Sequence, residues 1–282
     1  MKVLVTGVKG QLGHDVVKEL EKRKIECKGV DIDDFDITDF DATRRYITGY
    51  KPDAVVHCSA YTAVDKAEDE PGLCGKVNED GPANIAEACK ELGAKMIYIS
   101  TDYVFPGTGH REYEVEDEPG ALSVYGKTKY VGEENVRTIL DKYFIVRISW
   151  VFGLNGNNFV KTMLRLGKER EIVSVVADQI GSPTYTADLA VLLCDMLATD
   201  KYGTYHATNE GFCSWAEFAS EIFRVAGLPT QVKAITTAEY PTKAVRPKNS
   251  RLSKKSLDEA GFNRLPHWQD AVKRYITEEL GM

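Results

Sequence analysis

The chain has 282 residues, 43% of them hydrophobic, with a formal net charge of −7 and a pI near 5.4. That length buries a large core and suits either one large domain or a nucleotide domain with a smaller appendage. The acidic balance argues against nucleic acid as a partner, so any anionic ligand must be gripped by local N–H groups and cations.

The chain alternates strand-like and helix-like segments. Lys2 to Thr6 is apolar and β-branched, short enough for a buried parallel strand, and runs into glycines at Gly7, Gly10 and Gly13. A helix is expected from Gln11 to about Lys24, a strand from Ile25 to Asp31, a short extended Phe35-Asp36-Ile37, and a helix capped by Asp39 and ending near Tyr50. Ala54 to Ser59 reads as a strand, Asn78 to Leu92 as a helix, Met96 to Ser100 as a strand, and Tyr143 to Trp150 as one more. Thr186 to Thr199 reads as a covering helix with Leu189, Ala190, Leu193, Met196 and Leu197 on one face. This alternation predicts an α/β fold: a Rossmann-type doubly wound parallel sheet. Residues 1–150, with 181–205 returning, make the nucleotide-binding domain; 151–180 and 206–282, where prolines break the pattern, make a smaller C-terminal substrate-binding lobe.

Six cysteines are scattered without a C-x-x-C pair, a pattern that fits reduced thiols in the cytoplasm. The first strand begins at residue 2, so no signal sequence is expected, and no apolar run approaches a membrane-spanning length. The five histidines form neither H-E-x-x-H nor a cysteine–histidine cluster, so no metal site is expected, and His57 reads as a packed strand residue.

A strand, a glycine-rich turn and a helix start make a dinucleotide cradle. Gly7 lets the chain turn, Gly10 lets backbone amides approach a pyrophosphate, and Gly13 lets the helix pack closely on the strand. A glycine triplet alone is a weak signal. Asp31, at the end of the next strand and roughly twenty residues on, strengthens it. Ligands of such a sheet sit past the carboxyl ends of its strands, which directs attention to Ala60-Tyr61-Thr62, Thr101-Asp102-Tyr103 and Trp150. Tyr125 and Lys129 are four apart at the start of a helix, hence on one face; no other tyrosine here has a lysine at that spacing. The plain alternative is a tyrosine packed on an aliphatic lysine stem. The chemical reading is that a cation draws the phenol, of which only about one part in a thousand is ionised at neutrality, toward usable acidity. Such a tyrosine protonates a carbonyl oxygen as hydride reaches its carbon. Thr101 could hold that oxygen, or Ser100 and Thr101 could be only a polar strand end.

Thr6-Gly7-x-x-Gly10-x-x-Gly13, Ser100-Thr101-Asp102 and Tyr125-x-x-x-Lys129 together resemble the extended short-chain dehydrogenase/reductases. GQLG at Gly10, DITD at Asp36, AYTAVDKAE at Ala60, STDYVF at Ser100, YGKTK at Tyr125, RISWVFG at Arg147, DQIGSPT at Asp178 and RPKNSRL at Arg246 narrow the resemblance to the dTDP-4-dehydrorhamnose reductase family. That resemblance implies an NAD(P)-dependent oxidoreductase that reduces the 4-keto group of dTDP-4-dehydro-6-deoxy-L-mannose to dTDP-L-rhamnose. It implies Thr101, Tyr125 and Lys129 as catalytic set, with Tyr125 as proton donor and Lys129 binding the nicotinamide ribose while lowering the tyrosine pKa. It further implies Gly7, Gly10, Gln11, Leu12, Gly13, Asp31, Asp36, Ile37, Ala60, Tyr61 and Thr62 around the cofactor, and Thr101, Asp102 and Trp150 toward the nucleotide-sugar substrate. The chain departs from the family at His57-Cys58-Ser59, where an alanine-rich segment is usual, and at Pro106.

Asp31 favours NADH, because a carboxylate accepts from ribose hydroxyls and repels a 2′-phosphate; Lys9 pulls the other way and leaves NADPH open. Arg246 is the candidate clamp for the substrate diphosphate, with a structural arginine as the alternative. A dehydratase would need a glutamate after Asp102, where Tyr103 stands. An epimerase, another nucleotide-sugar reductase of the family, and a non-catalytic NAD(P)-binding regulatory subunit stay open, as does a homodimer.

Overall fold

The computed structural model describes residues 1–282. Its centre is a six-stranded sheet of β1 (Lys2–Thr6), β2 (Glu26–Val30), β3 (Ala54–His57), β4 (Lys95–Thr101), β5 (Tyr143–Ile148) and β6 (Gly203–His206), in the order β2-β1-β3-β4-β5-β6. Every pairing is parallel. The strand order reverses between β1 and β3, and the crevice at such a reversal is where α/β sheets bind ligands.

Alternation along the strands divides the sheet's two faces. Val3, Val5, Ala54, Val56, Ile97, Phe144 and Val146 join one core with Leu12, Val16 and Leu20 of α1 (Gln11–Lys22) and with residues of Thr186–Leu197. Leu4, Val55, Met96, Tyr98 and Ile145 join the other with Ile47 of α2 (Phe40–Tyr50), Ile85, Ala86 and Cys89 of α3 (Gly81–Leu92) and Val136 of α4 (Val124–Ile139). Strands buried on both faces explain why these stretches read as nearly continuous apolar runs. The helix at Thr186–Leu197, here α5, buries the expected Leu189, Ala190, Leu193, Met196 and Leu197 against α1.

A separate aromatic-rich core lies outside the sheet, built from Phe152, Val160, Phe218, Phe223, Trp268, Tyr275 and their neighbours. Small two- and three-stranded sheets frame it, including the parallel pair Ile172–Val176 and Gln231–Ile235. No helix is long and apolar enough to cross a membrane.

Several boundaries differ from the sequence reading. β6 was not anticipated, since Gly203-Thr204-Tyr205-His206 lacks a strand's apolar run; it is an edge strand ordered by pairing with β5. β3 stops at His57 rather than Ser59, and β5 at Ile148 rather than Trp150, whose φ of 51° ends extended structure. The helix expected from Asn78 starts at Gly81, after short turns at Val64–Ala67 and Pro71–Gly75 and a widened turn at Lys76–Asp80.

The first turn is one of the close approaches in the fold that only glycine allows. Gly7 has a φ of +72°, and a Cβ on Gly13 would lie 2.4 Å from the Gly7 carbonyl oxygen, a backbone atom that cannot step aside. Gly13→Ala is therefore expected to destabilise by roughly 1–3 kcal/mol, the usual penalty of overpacking. Gly49, exposed in α2 with nothing within 4 Å of its added Cβ, provides the contrast. Gly49→Ala should be neutral or stabilise by about 0.5–1 kcal/mol, and urea unfolding of the two variants checks both signs.

Candidate active site

The carboxyl ends of β1, β3, β4 and β5 open into one cavity of about 760 Å³. Gly7, Gly10, Gln11, Leu12 and Gly13 form one wall, Asp31, Asp36 and Ile37 the outer end, Ala60 and Thr62 the flank, and Thr101, Asp102, Tyr125, Lys129 and Trp150 the inner end. Two anticipated residues stand apart. Tyr61 turns its phenol to Glu70 Oε2 at 2.8 Å, and its backbone N–H donates to Asn78 Oδ1 at 2.9 Å. Arg246 is outside the lining: its guanidinium donates to Asp65 Oδ2 at 2.6 Å and to the Tyr103 hydroxyl at 3.3 Å. It is thus already paired, not a free cation. Cys58, Ser59, Ser149, Gly156 and Asn157 also line the cavity and were not singled out in the sequence. Cys58 and Ser59 were within reach of the rule about strand ends, whereas Gly156 and Asn157 come from a loop with no local signature.

The glycine wall is shaped for a diphosphate. Gly10 is the N-cap of α1 without a side-chain cap, and the first turn holds no acidic residue, so the helix presents its N–H groups and positive dipole end unopposed. A side chain at Gly7 would fill the close approach between this turn and the backbone after β3, and one at Gly13 the approach of α1 to the turn. At the outer end both Asp31 oxygens accept backbone N–H groups, Oδ2 from Lys9 and Oδ1 from Ile32, each at 2.9 Å. Lys9 extends its ammonium to Asp33.

The inner end is assembled by α4. Ser123 caps it, its Oγ accepting from the Gly126 N–H at 3.1 Å. Gly126 lets the helix press on the turn after β4, since a Cβ there would lie 2.2 Å from the Tyr103 carbonyl oxygen. Tyr125 is thereby set edge-on to Tyr103, with ring centroids 5.4 Å apart, and beside the Thr101 hydroxyl. Thr101 Oγ1 donates to Asp102 Oδ1 at 3.0 Å, and Asp102 Oδ2 accepts from Ser250 of the C-terminal segment. Burial pushes the Asp102 carboxyl up to about 6 against these hydrogen bonds. Trp150 stacks on Trp215 with centroids 3.7 Å apart and forms the far wall.

Burial governs the Tyr125 and Lys129 pair. Lys129 is 2% exposed, its Nζ lies 4.1 Å from the centre of the Tyr98 ring, and desolvation lowers its pKa to about 7. Desolvation also raises the Tyr125 phenol above its ordinary value, with Asp102 and Tyr103 acting in the same direction and Thr101 opposing. The sequence reading has Lys129 drawing the phenol down. In the structure burial sets the phenol instead, and Tyr125 stays protonated at neutral pH. His57 is the packed residue anticipated: buried, its Nδ1 2.8 Å from Thr6 Oγ1, and neutral with its pKa lowered by burial to about 3.

The buried lysine has a consequence for stability. An unfolded lysine titrates near 10.5, so between about 7 and 10.5 the unfolded chain binds the extra proton and stability contributed at this position rises with pH. Lys129→Met should therefore raise the unfolding temperature at pH 7, by an amount that shrinks toward pH 10. Thermal melts of both proteins across that range test it, and a destabilised variant at pH 7 would contradict the burial argument.

The chain is similar to known proteins along nearly its whole length. Residues 1–280 match the family described as RmlD substrate binding domain. The chain is 42% identical over 276 residues to a dTDP-4-dehydrorhamnose reductase of Streptomyces griseus, covering 95% of this chain and 91% of that one. Among solved structures, a dTDP-4-dehydrorhamnose reductase from Clostridium acetobutylicum superposes with a TM-score of 0.97 at 43% identity, covering 100% of each chain. One from Bacillus anthracis, in complex with NADP, gives a TM-score of 0.96 at 45% identity, covering 99% of this chain and 100% of that one. With the family model spanning nearly its whole length and relatives of this similarity, the chain belongs to the RmlD family of dTDP-4-dehydrorhamnose reductases.

Proposed function

We propose that this chain is an NAD(P)H-dependent oxidoreductase that reduces the 4-keto group of dTDP-4-dehydro-6-deoxy-L-mannose, giving dTDP-L-rhamnose. The observation that carries the reading is the convergence of Thr101, Tyr125 and Lys129 with the glycine wall on one cavity. The residues of the cavity fit a nicotinamide dinucleotide: α1 and its glycines for the pyrophosphate, Asp31 for the adenosine ribose, Lys129 for the nicotinamide ribose. Bound there, the cofactor supplies the hydride.

The chain's own groups supply the rest. Tyr125, held protonated by burial, is in the form that a reduction consumes, and it delivers its proton to the oxygen of the substrate carbonyl. Thr101 lies beside it and holds the same oxygen when its hydroxyl turns from Asp102. Lys129, when protonated, places positive charge near the phenolate left behind and lowers the barrier to proton release. Asp102 and Trp150 bound the sugar pocket, with Trp215 stacked on Trp150 and Ser250 fixing the Asp102 carboxylate. Arg246 reaches the substrate diphosphate by leaving Asp65, its partner in the structure. We place the enzyme in the cytoplasm, where its six unpaired thiols remain reduced.

Tyr125→Phe removes one hydroxyl and keeps the ring that packs on Tyr103. It should lower kcat by roughly a hundredfold to ten-thousandfold, with cofactor binding and melting temperature nearly unchanged. Thr101→Val should cost less, about 1–3 kcal/mol of transition-state stabilisation. Steady-state kinetics with the 4-keto sugar nucleotide decide the matter: turnover of the phenylalanine variant within a few-fold of wild type would overturn the assignment.

Cofactor choice follows from the outer end of the cavity. NADH should bind at least as well as NADPH, because the Asp31 carboxylate repels a 2′-phosphate, while Lys9 keeps NADPH admissible. Asp31→Ala should then shift the ratio of dissociation constants toward NADPH, as measured by cofactor fluorescence. An unchanged ratio would make Asp31 merely the residue that ties down the Lys9 and Ile32 amides.

A further inference from the structure

The catalytic set comes from two elements, with Thr101 ending β4 and Tyr125 and Lys129 on α4, so something must fix the register between them. One turn beyond Lys129, on the same face of α4, stands Glu133, which is 0% exposed. Its Oε1 accepts from Ser100 Oγ at 2.5 Å and from Arg147 Nε at 2.9 Å; its Oε2 accepts from Arg147 Nη2 at 2.7 Å and Arg137 Nη2 at 2.8 Å. Ser100 directly precedes Thr101 and lies opposite Arg147 in the β4–β5 register. Arg147, 2% exposed, has no other carboxylate partner.

The charge of Glu133 matters as much as its bonds. Lys129 forms no salt bridge, and the titratable groups facing it are Tyr98 from β4, His57 and Cys58 from the end of β3, Cys74 from the Pro71–Gly75 helix, Tyr125, and Glu133. Burial keeps His57 neutral and holds the thiols and phenols protonated. Glu133 stays ionised against its own burial because Arg147, Ser100 and Arg137 stabilise the carboxylate. Among these groups it is the single charged one at neutral pH.

We propose that Glu133 is a positioning residue for the reaction: its carboxylate ties the helix of Tyr125 and Lys129 to the strand of Thr101 and supplies the negative charge that keeps Lys129 cationic. This rests on the roles given above to Tyr125 and Lys129, but its test does not need turnover. Lysine side-chain resonances, with Lys129 assigned through its loss in Lys129→Arg, report the protonation of Lys129 directly. In Glu133→Gln the Lys129 midpoint should fall by at least one pH unit, a tenfold loss of proton affinity, while Glu133→Asp, which keeps the charge, should stay close to wild type. The pH limb of NADH binding, read by fluorescence, should move with it.

Because Glu133→Gln leaves Arg147 buried beside a neutral amide, the double variant Glu133→Gln/Arg147→Gln, which removes both partners, is measured in parallel. Arg147→Lys disturbs the bidentate pairing but keeps a cation that holds Glu133 ionised, and should not lower the Lys129 midpoint. A midpoint at the wild-type value in Glu133→Gln or in the double variant, with loss confined to thermal stability, would overturn the proposal. An equal drop in Arg147→Lys would do the same, since it would trace the effect to packing and not to charge.

Discussion

The structure depends on one close approach, that of α1 to the turn that follows β1. With hydrogen in place of Cβ at Gly13, the helix start lies against the Gly7 carbonyl, and Gly7 itself lies against the backbone at Cys58 and Ser59. This contact aims the N–H groups of α1 along the sheet's carboxyl edge and brings the ends of β1 and β3 together at the point where strand order reverses. The dinucleotide wall, the entry of Asp31 and the placement of Ala60 and Thr62 all follow from it.

At the other end of the cavity the controlling quantity is loss of water. Lys129, Tyr125, Asp102 and Glu133 are all taken from solvent within a short distance, and each responds according to its partners. Glu133 has two arginines and remains charged. Lys129 has the face of Tyr98 and the charge of Glu133 one turn away, and sits near the midpoint of its titration. Tyr125 has the Thr101 hydroxyl and keeps its proton, the form that the proposed reduction consumes. An arrangement of this kind trades stability for a lysine poised to change charge at neutral pH.

Much of this was legible in the chain because it is local. The strand, the three glycines and the helix start fall within residues 2–22, and Tyr125 and Lys129 share a helix face by spacing alone. What escaped the sequence is long-range. β6 becomes a strand through pairing with β5. Tyr61 is turned aside by Glu70 and Asn78, and Arg246 is occupied by Asp65, 181 residues away in the chain. The balance of charge around Lys129 depends on Arg147 and Ser100 meeting Glu133 from two neighbouring strands. No periodicity or motif encodes such pairings, because the partners lie on separate elements that only the sheet's register brings together.

The reaction proposed for this cavity is a net reduction at the sugar's C4. Its most direct test is transfer of label: the protein is incubated with dTDP-4-dehydro-6-deoxy-L-mannose and nicotinamide cofactor carrying deuterium on the transferred position, and the product is analysed by NMR and mass spectrometry. A reductase gives dTDP-L-rhamnose with one deuterium at C4, formed in equal amount to the oxidised cofactor. A sugar nucleotide altered in configuration without net cofactor oxidation, or cofactor bound and never consumed by any 4-keto sugar nucleotide, would contradict it.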